Sequence, residues 1–316
     1  MKKVITWAKC LLFCAILCLA LARANQICIR KSLEPPWDMS NKIGGFYNEE
    51  DRGTIYFLGA SHSYCTFSPN ILEELCGVKS YVLASQQQPV DASYYYLKEA
   101  VGTQKPEAVV LDVMTCIYDG DYGEEGVVHS YSDPLPFSFN KLAMVVNAAP
   151  RKLWPQALFP LIKYHSRWSE LKDEDYNVRP EDYKDPLRGH VALQGQSEDF
   201  AAGGEHFSSK DFLRHMRRSD KAILLKMKKY CDDRGIRFIL VKTPTYKENM
   251  YKASIEDVKA FAKESAIPFV DLNELKSAAG LEREDFYDGY HLNEAGAIKF
   301  NRTLWSKPEI LLDGIK

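Results

Sequence analysis

Thr54-Ile-Tyr-Phe-Leu58 runs directly into Gly59-Ala-Ser-His-Ser63, and this junction narrows the possible folds of the 316-residue chain more than any other stretch. Five β-prone residues followed by small, turn-tolerant ones read as a buried strand that ends in a tight turn. Such a turn lifts the Ser61 hydroxyl above the edge of a sheet and makes Ser61 the candidate nucleophile. A serine alone is a weak nucleophile near neutral pH, so it needs a base and a group that orients the base. The segment Asp285-Phe-Tyr-Asp288-Gly-Tyr-His291-Leu-Asn-Glu-Ala-Gly296 offers both. His291 is the candidate general base and Asp288 the carboxylate that holds it, because a gap of three residues lets a turn place both side chains on one side of a loop.

The rest of the chain supplies a sheet for this junction. Ser68 and Pro69 suit the start of a helix and Gly77 its end. Ser80 to Ala84 is a second strand, followed by the polar turn Ser85-Gln-Gln-Gln-Pro89 and a helix over Ala92 to Val101 capped by Asp91. Ala108 to Met114 is a third strand. Strand and helix alternating at this spacing predict a parallel sheet with helical crossovers. The alternation returns with a helix from Ser209 to about Asp233, a strand at Arg237 to Val241, a helix at Ser254 to Ser265, a short strand at Pro268 to Leu272 and a last helix, Asn293 to Trp305, capped by Asn293. The expected fold is therefore α/β: a three-layer α/β/α sandwich around a central parallel sheet, flavodoxin-like. Reactive groups in such a sheet gather at the carboxyl ends of the strands.

Residues 115–208 interrupt the alternation and are too long for a plain loop, so they read as an inserted cap or subdomain within a domain spanning 53–316. Residues 31–52, rich in Pro, Gly and Asn, read as a linker. Residues 1–30 are different again. Lys2 and Lys3 precede a mostly apolar run, Val4 to Ala22, broken by Lys9. Two readings stand: a signal peptide cut after Ala22-Arg-Ala24, or a retained anchor from Val4 to about Ile29 with Lys9 and Arg23 snorkelling. Either one leaves the body outside the cytoplasm. Leu17-Cys18 lacks the small residue that a lipoprotein site needs.

Forty-six per cent apolar and 27% charged residues describe a globular chain, and a formal charge of −2 from 41 basic and 43 acidic residues gives no field for nucleic acid. Four of the eight cysteines, Cys65, Cys76, Cys116 and Cys231, lie in the body. They read as free thiols, with Cys65 and Cys76 the first pair to consider for a bridge. No Cys-x-x-Cys occurs, so neither a metal nor a cofactor is expected.

On these residues the chain resembles the SGNH (GDSL-type) hydrolase superfamily. Gly59-Ala-Ser61 stands where that family has Gly-Asp-Ser, and Asp288-Gly-Tyr-His291 matches its Asp-x-x-His block with the helix that follows. The likeness covers about 53–116 and 210–305. With the amino-terminal apolar segment it extends to membrane-attached bacterial envelope proteins, including alginate acetylation proteins and the D-alanine transfer protein of lipoteichoic acid synthesis. It implies a Ser-His-Asp esterase or O-acyltransferase, with acetyl as the group, acting on an envelope or exported carbohydrate, with a membrane-bound O-acyltransferase as a further partner. Two family features are missing. The glycine of the second block is replaced by Ser85-Gln86-Gln87-Gln88, and the third block, Gly-x-Asn-Asp, by Asp112-Val-Met-Thr115. Oxyanion donors are therefore sought at Ser61, Gln86, Gln87 and Thr115. The alternative is a non-catalytic envelope protein that binds glycan or supports a membrane acyltransferase.

His62, next to the nucleophile, is a structural or substrate-binding candidate. Tyr164-His165-Ser-Arg167-Trp168 mixes aromatic and cationic groups as a sugar-binding surface does, but packing of the insertion on the core is the favoured reading. The other histidines lack ligand-like spacing.

Overall fold

The computed structural model describes residues 2–30, 42–43, 45–48, 53–118, 122–177, 184–203, 215–247 and 252–313. Its centre is a five-stranded, all-parallel sheet in the order β2-β1-β3-β4-β5, with β1 at Ile55–Gly59, β2 at Ser80–Ala84, β3 at Ala108–Asp112, β4 at Arg237–Lys242 and β5 at Phe269–Asp271. Leu58 of β1 lies level with Leu83 of β2 and Leu111 of β3. Strands β1 to β3 are buried along their whole length, as a parallel sheet covered on both faces requires.

The period of two sorts each strand between two cores. Tyr56, Leu58, Tyr81, Leu83, Val109, Leu111, Phe238 and Leu240 face one layer, which includes apolar residues of the helices Val90–Thr103, Arg218–Asp232 and Lys252–Glu264. Ile55, Phe57, Val82, Ala84, Val110, Ile239 and Val241 face the other, which includes residues of Ser61–Thr66, Pro69–Cys76 and Glu294–Trp305. There the rings of Phe57 and Phe67 stack at 4.2 Å. The three-layer sandwich read from the sequence is the fold observed.

The local signals hold in most places. Pro69 opens its helix, Gly77 closes it at φ 68, and the Asn293 side chain caps the last helix by accepting from Gly296 N at 3.0 Å. Three expectations change. The turn after β1 is itself a short helix, Ser61–Thr66, because Ser63 N and Tyr64 N both donate to the Ala60 carbonyl. The helix after β2 begins at Val90 with Pro89 as its cap residue, so Asp91 lies in the first turn instead of capping it. The Arg218–Asp232 helix starts later than read; Ser209 lies outside the described residues, and the Asp220 carboxylate accepts from Arg217 N at 3.1 Å.

Part of the presumed linker is core. Ile43 and Phe46 are buried, and the Phe46 ring meets those of Tyr56 and Tyr81 edge-on at 5.8 and 5.7 Å. Within 115–208, the helix Phe139–Ala148 packs on Val90–Thr103, while 188–191 bonds alongside β2 and the short helix Ser61–Thr66: Val82 N donates to Arg188 O and Val191 N to Tyr64 O, each at 2.9 Å. Helix α1, Lys2–Cys28, is long and apolar enough to cross a membrane, with mean hydropathy 2.4 over its apolar window and none of that window buried against the body. A signal sequence passes the same test. All eight cysteines are free thiols, Cys65 and Cys76 included.

Candidate active site

The strand order reverses direction between β1 and β3, and the crevice outside the carboxyl ends of such strands is where open α/β sheets hold ligands. Ser61 stands there, at the first position of the short helix after β1. Gly59 makes the approach possible. Its φ is 138, and an added Cβ would meet Asp112 Cβ and Ser63 Cβ, each at 3.2 Å. The Asp112 side chain thus lies directly against the turn. Its two oxygens accept from Met114 N at 2.9 Å and Thr243 N at 3.0 Å, tying the ends of β3 and β4 together. Burial raises the Asp112 carboxyl, against the pull of the buried Lys242 and the hydrogen bonds. Asp112 is therefore a structural residue of the sheet edge.

The second component is a pinned loop before the last helix. Asn293 N donates to Asp285 O at 3.0 Å and Tyr287 N to His291 O at 2.9 Å, which closes residues 285–293 into a hairpin. At its tip, Asp288 Oδ1 accepts from Tyr290 N at 2.7 Å and His291 N at 2.8 Å, the side-chain-to-backbone turn that aspartate favours. The same carboxylate meets His291 Nδ1 at 3.0 and 3.1 Å. Burial alone would raise the Asp288 carboxyl, but the His291 charge and these bonds outweigh it and hold it below its ordinary value. His291 Nε2 lies 2.8 Å from Ser61 Oγ. Tyr246 N, donating to Gly289 O at 3.2 Å, and Glu294 N, donating to Leu193 O at 2.8 Å, hold the loop over the sheet edge.

With Nδ1–H donating to Asp288, Nε2 is left as the acceptor for the Ser61 hydroxyl. That arrangement can take a proton from Ser61 as its oxygen attacks a carbonyl and return it to a leaving oxygen.

Around this relay lies a cavity of about 420 Å³, whose wall includes Gln86, Gln87, His62 and Thr115. Gln87 has φ 47, the left-handed region that glycine favours, at a cost of about 1 kcal/mol. The turn at Gln86-Gln87 therefore keeps the backbone shape that a glycine would give while carrying side chains. Thr115 is 2% exposed and its Oγ1 has no hydrogen-bond partner, and the buried Gln87 Oε1 has none either. His62 is 7% exposed and its ring centroid is 4.8 Å from that of His291. Burial first, then the positive charges of His291 and Lys242, hold His62 well below the usual histidine range, so it stays neutral and does not oppose protonation of His291.

Tyr64, Tyr118, Tyr122, Tyr287 and Tyr290 also line the cavity, and sequence reasoning named none of them. Tyr287 precedes the Asp-x-x-His block and Tyr290 lies inside it, which was the available signal. The insertion supplies Tyr118, Tyr122 and Leu193 to the wall. His165, Arg167 and Trp168 are not among the lining residues. His165 Nδ1 meets Ile162 O at 2.8 Å, Arg167 pairs with Asp175 at 3.2 and 3.3 Å, Tyr164 donates to Asp133 Oδ2 at 2.7 Å, and Trp168 faces outward. The ion pair and a hydrogen bond to the Cys28 carbonyl at the end of α1 engage the Arg167 guanidinium. Among the described residues no cluster of His, Cys, Asp and Glu could hold a metal ion.

No family model matches the chain, and no curated protein does. Solved structures similar to it include a candidate acylhydrolase from Bacteroides fragilis, 12% identical, with TM-score 0.39 over 86% of this chain and 97% of that one. A GDSL-like lipase from Bacteroides thetaiotaomicron is 11% identical, TM-score 0.36, covering 81% and 86%. An acetylxylan esterase from Geobacillus stearothermophilus is 15% identical, TM-score 0.35, covering 83% and 96%. At that level of likeness the roles of Ser61, Asp288 and His291 rest on their own geometry.

Proposed function

We propose that the chain is an extracytoplasmic serine esterase or O-acyltransferase that moves an acyl group, acetyl, on a cell-envelope or exported carbohydrate. The observation that carries this reading is the continuous relay from Asp288 through His291 to Ser61, set in a cavity at the sheet edge. In the first step Ser61 Oγ attacks the acyl carbonyl while His291 Nε2 takes its proton. The C–O bond to the sugar then breaks, and His291 returns the proton to the departing sugar oxygen, leaving Ser61 acylated. Water or a second sugar hydroxyl attacks this ester, with His291 again as base, and Ser61 is regenerated. Oxyanion stabilisation falls to the Ser61 and Gln87 backbone N–H groups and to the Thr115 hydroxyl.

Carbohydrate is supported by the tyrosines of the cavity wall. Aromatic faces present apolar surface to the C–H face of a sugar ring, and their hydroxyls bond its edge. Acetyl, and a membrane-bound O-acyltransferase as partner, follow from the resemblance to envelope acetylation proteins.

The test is a chromogenic acetyl ester together with a fluorophosphonate probe on the full chain. A burst of chromophore and labelling of Ser61, both lost in Ser61→Ala and His291→Ala, are the expected results. Folded protein that neither reacts nor labels would remove the enzymatic reading. Addition of an oligosaccharide acceptor separates the two outcomes: a transferase forms acylated sugar, an esterase free acid.

A further inference from the structure

The geometry points to a second membrane contact: the face carried by residues 159–176 rests on the lipid surface at the foot of α1, so the body is seated on the bilayer and not merely tethered to it. This rests on reading α1 as a retained span and is independent of the chemistry at Ser61.

The end of α1 is built into the body. Asn25 Oδ1 accepts from Leu161 N at 2.7 Å, Arg167 Nη1 donates to Cys28 O at 2.7 Å, and Arg23 Nη2 donates to Tyr176 O at 2.5 Å. Arg167 is itself fixed by Asp175, whose side chain is 3% exposed, and Cys28 and Ile29 are buried. A loose tether would make none of these bonds. A cut after Ala24 would remove the Arg23 bond and leave Asn25 as a charged amino terminus.

The elements that grip α1 also present their large apolar side chains outward. Phe159, Ile162, Trp168 and Tyr176 are 56%, 52%, 75% and 46% exposed. Four large apolar side chains exposed on the elements that hold α1 offer lipid a surface to insert, and aromatic side chains favour the level of lipid headgroups. The depth fits. The apolar run of α1 ends at Ala22, and the three residues from there to Asn25, whose side chain holds Leu161 N, rise about 4.5 Å. Headgroups occupy about 5–8 Å on each side of a bilayer, so the gripping elements meet the membrane where its headgroups lie. Charge does not select the lipid, because Lys163 and Lys172 are interspersed with Glu170, Asp173 and Glu174. Apolar insertion is the attraction, and anionic lipid is not required.

The test uses the full chain reconstituted into phosphatidylcholine–phosphatidylglycerol vesicles that carry a photoreactive phospholipid, with adducts mapped by mass spectrometry. Adducts are expected within 4–22 and again within 159–176, at low and high salt alike. In the combined variant Phe159→Ser, Ile162→Ser, Trp168→Ser, those in 159–176 drop several-fold while those in α1 persist. All three side chains are exposed, so the variant keeps its fold, and circular dichroism serves as an independent check of folding. Adducts confined to α1 would overturn the seating and leave the span. Adducts nowhere would overturn both, with the Ser61 chemistry untouched.

Discussion

Ser61 Oγ and His291 Nε2 are 230 positions apart in the chain and 2.8 Å apart in space. The contact joins the turn after the central strand β1 to the hairpin before the last helix. Ser61 and His291 are only half-buried, whereas strands β1 to β3 beneath them are buried along their whole length.

Substitutions in the relay should separate chemistry from folding. Ser61→Ala is expected to lower kcat on an acetyl ester by about 10⁵-fold or more. Asp288→Asn is expected to lower it by about 10⁴-fold, since an amide favours the wrong imidazole tautomer. The asparagine oxygen can still accept from Tyr290 N and His291 N, so the melting temperature should hardly move. Loss of the fold in either variant, seen by circular dichroism, would indicate a structural role instead.

Thr115 tests the proposed oxyanion site. Its buried, unpartnered hydroxyl has no structural bond to lose. Thr115→Val is therefore expected to reduce kcat by about 10²-fold with little change in KM or stability. Thr115→Ser keeps most of the rate. Equal rates for the valine and native proteins would take Thr115 out of the transition state.

Acid should weaken the fold through His190. This side chain is 5% exposed, and its Nδ1 lies 2.9 Å from the Tyr64 carbonyl. Burial lowers its pKa to about 4, and the bond to Tyr64 does not cancel that effect. Below its ordinary value of about 6.5 the unfolded chain binds a proton that the folded chain refuses, so stability is full above that pH and falls as pH drops toward 4. The loss between pH 7 and pH 5 is on the order of 2 kcal/mol. Urea midpoints measured across that range should show it, with a flatter profile in His190→Gln.

Gly296 carries the hairpin on its backbone. A Cβ added there would stand 2.0 Å from the Asp285 carbonyl oxygen, with no flexible side chain to yield. Gly296→Ala is expected to cost about 2–3 kcal/mol and to lower kcat by displacing His291. A melting curve and the Ser61 probe reaction check both effects. An unchanged melting temperature would show that the last helix slides freely against the hairpin.

The sequence by itself determined the parallel sandwich, the junction at Ser61, the Asp288–His291 pairing, the helix start at Pro69 and the caps at Gly77 and Asn293. Each of these is written in short-range chemistry: a period of two, a turn residue at a set offset, a carboxylate three positions from an imidazole. Only the tertiary structure decided that Ile43 and Phe46 belong to the core, that five tyrosines line the cavity, and that Arg167 grips the end of α1 away from the site. It also placed Asp112 beneath the nucleophile and left Thr115 with an unpartnered hydroxyl. Those outcomes depend on side chains meeting from segments tens to hundreds of residues apart, where packing and competition for buried hydrogen bonds choose among neighbours that no local pattern encodes.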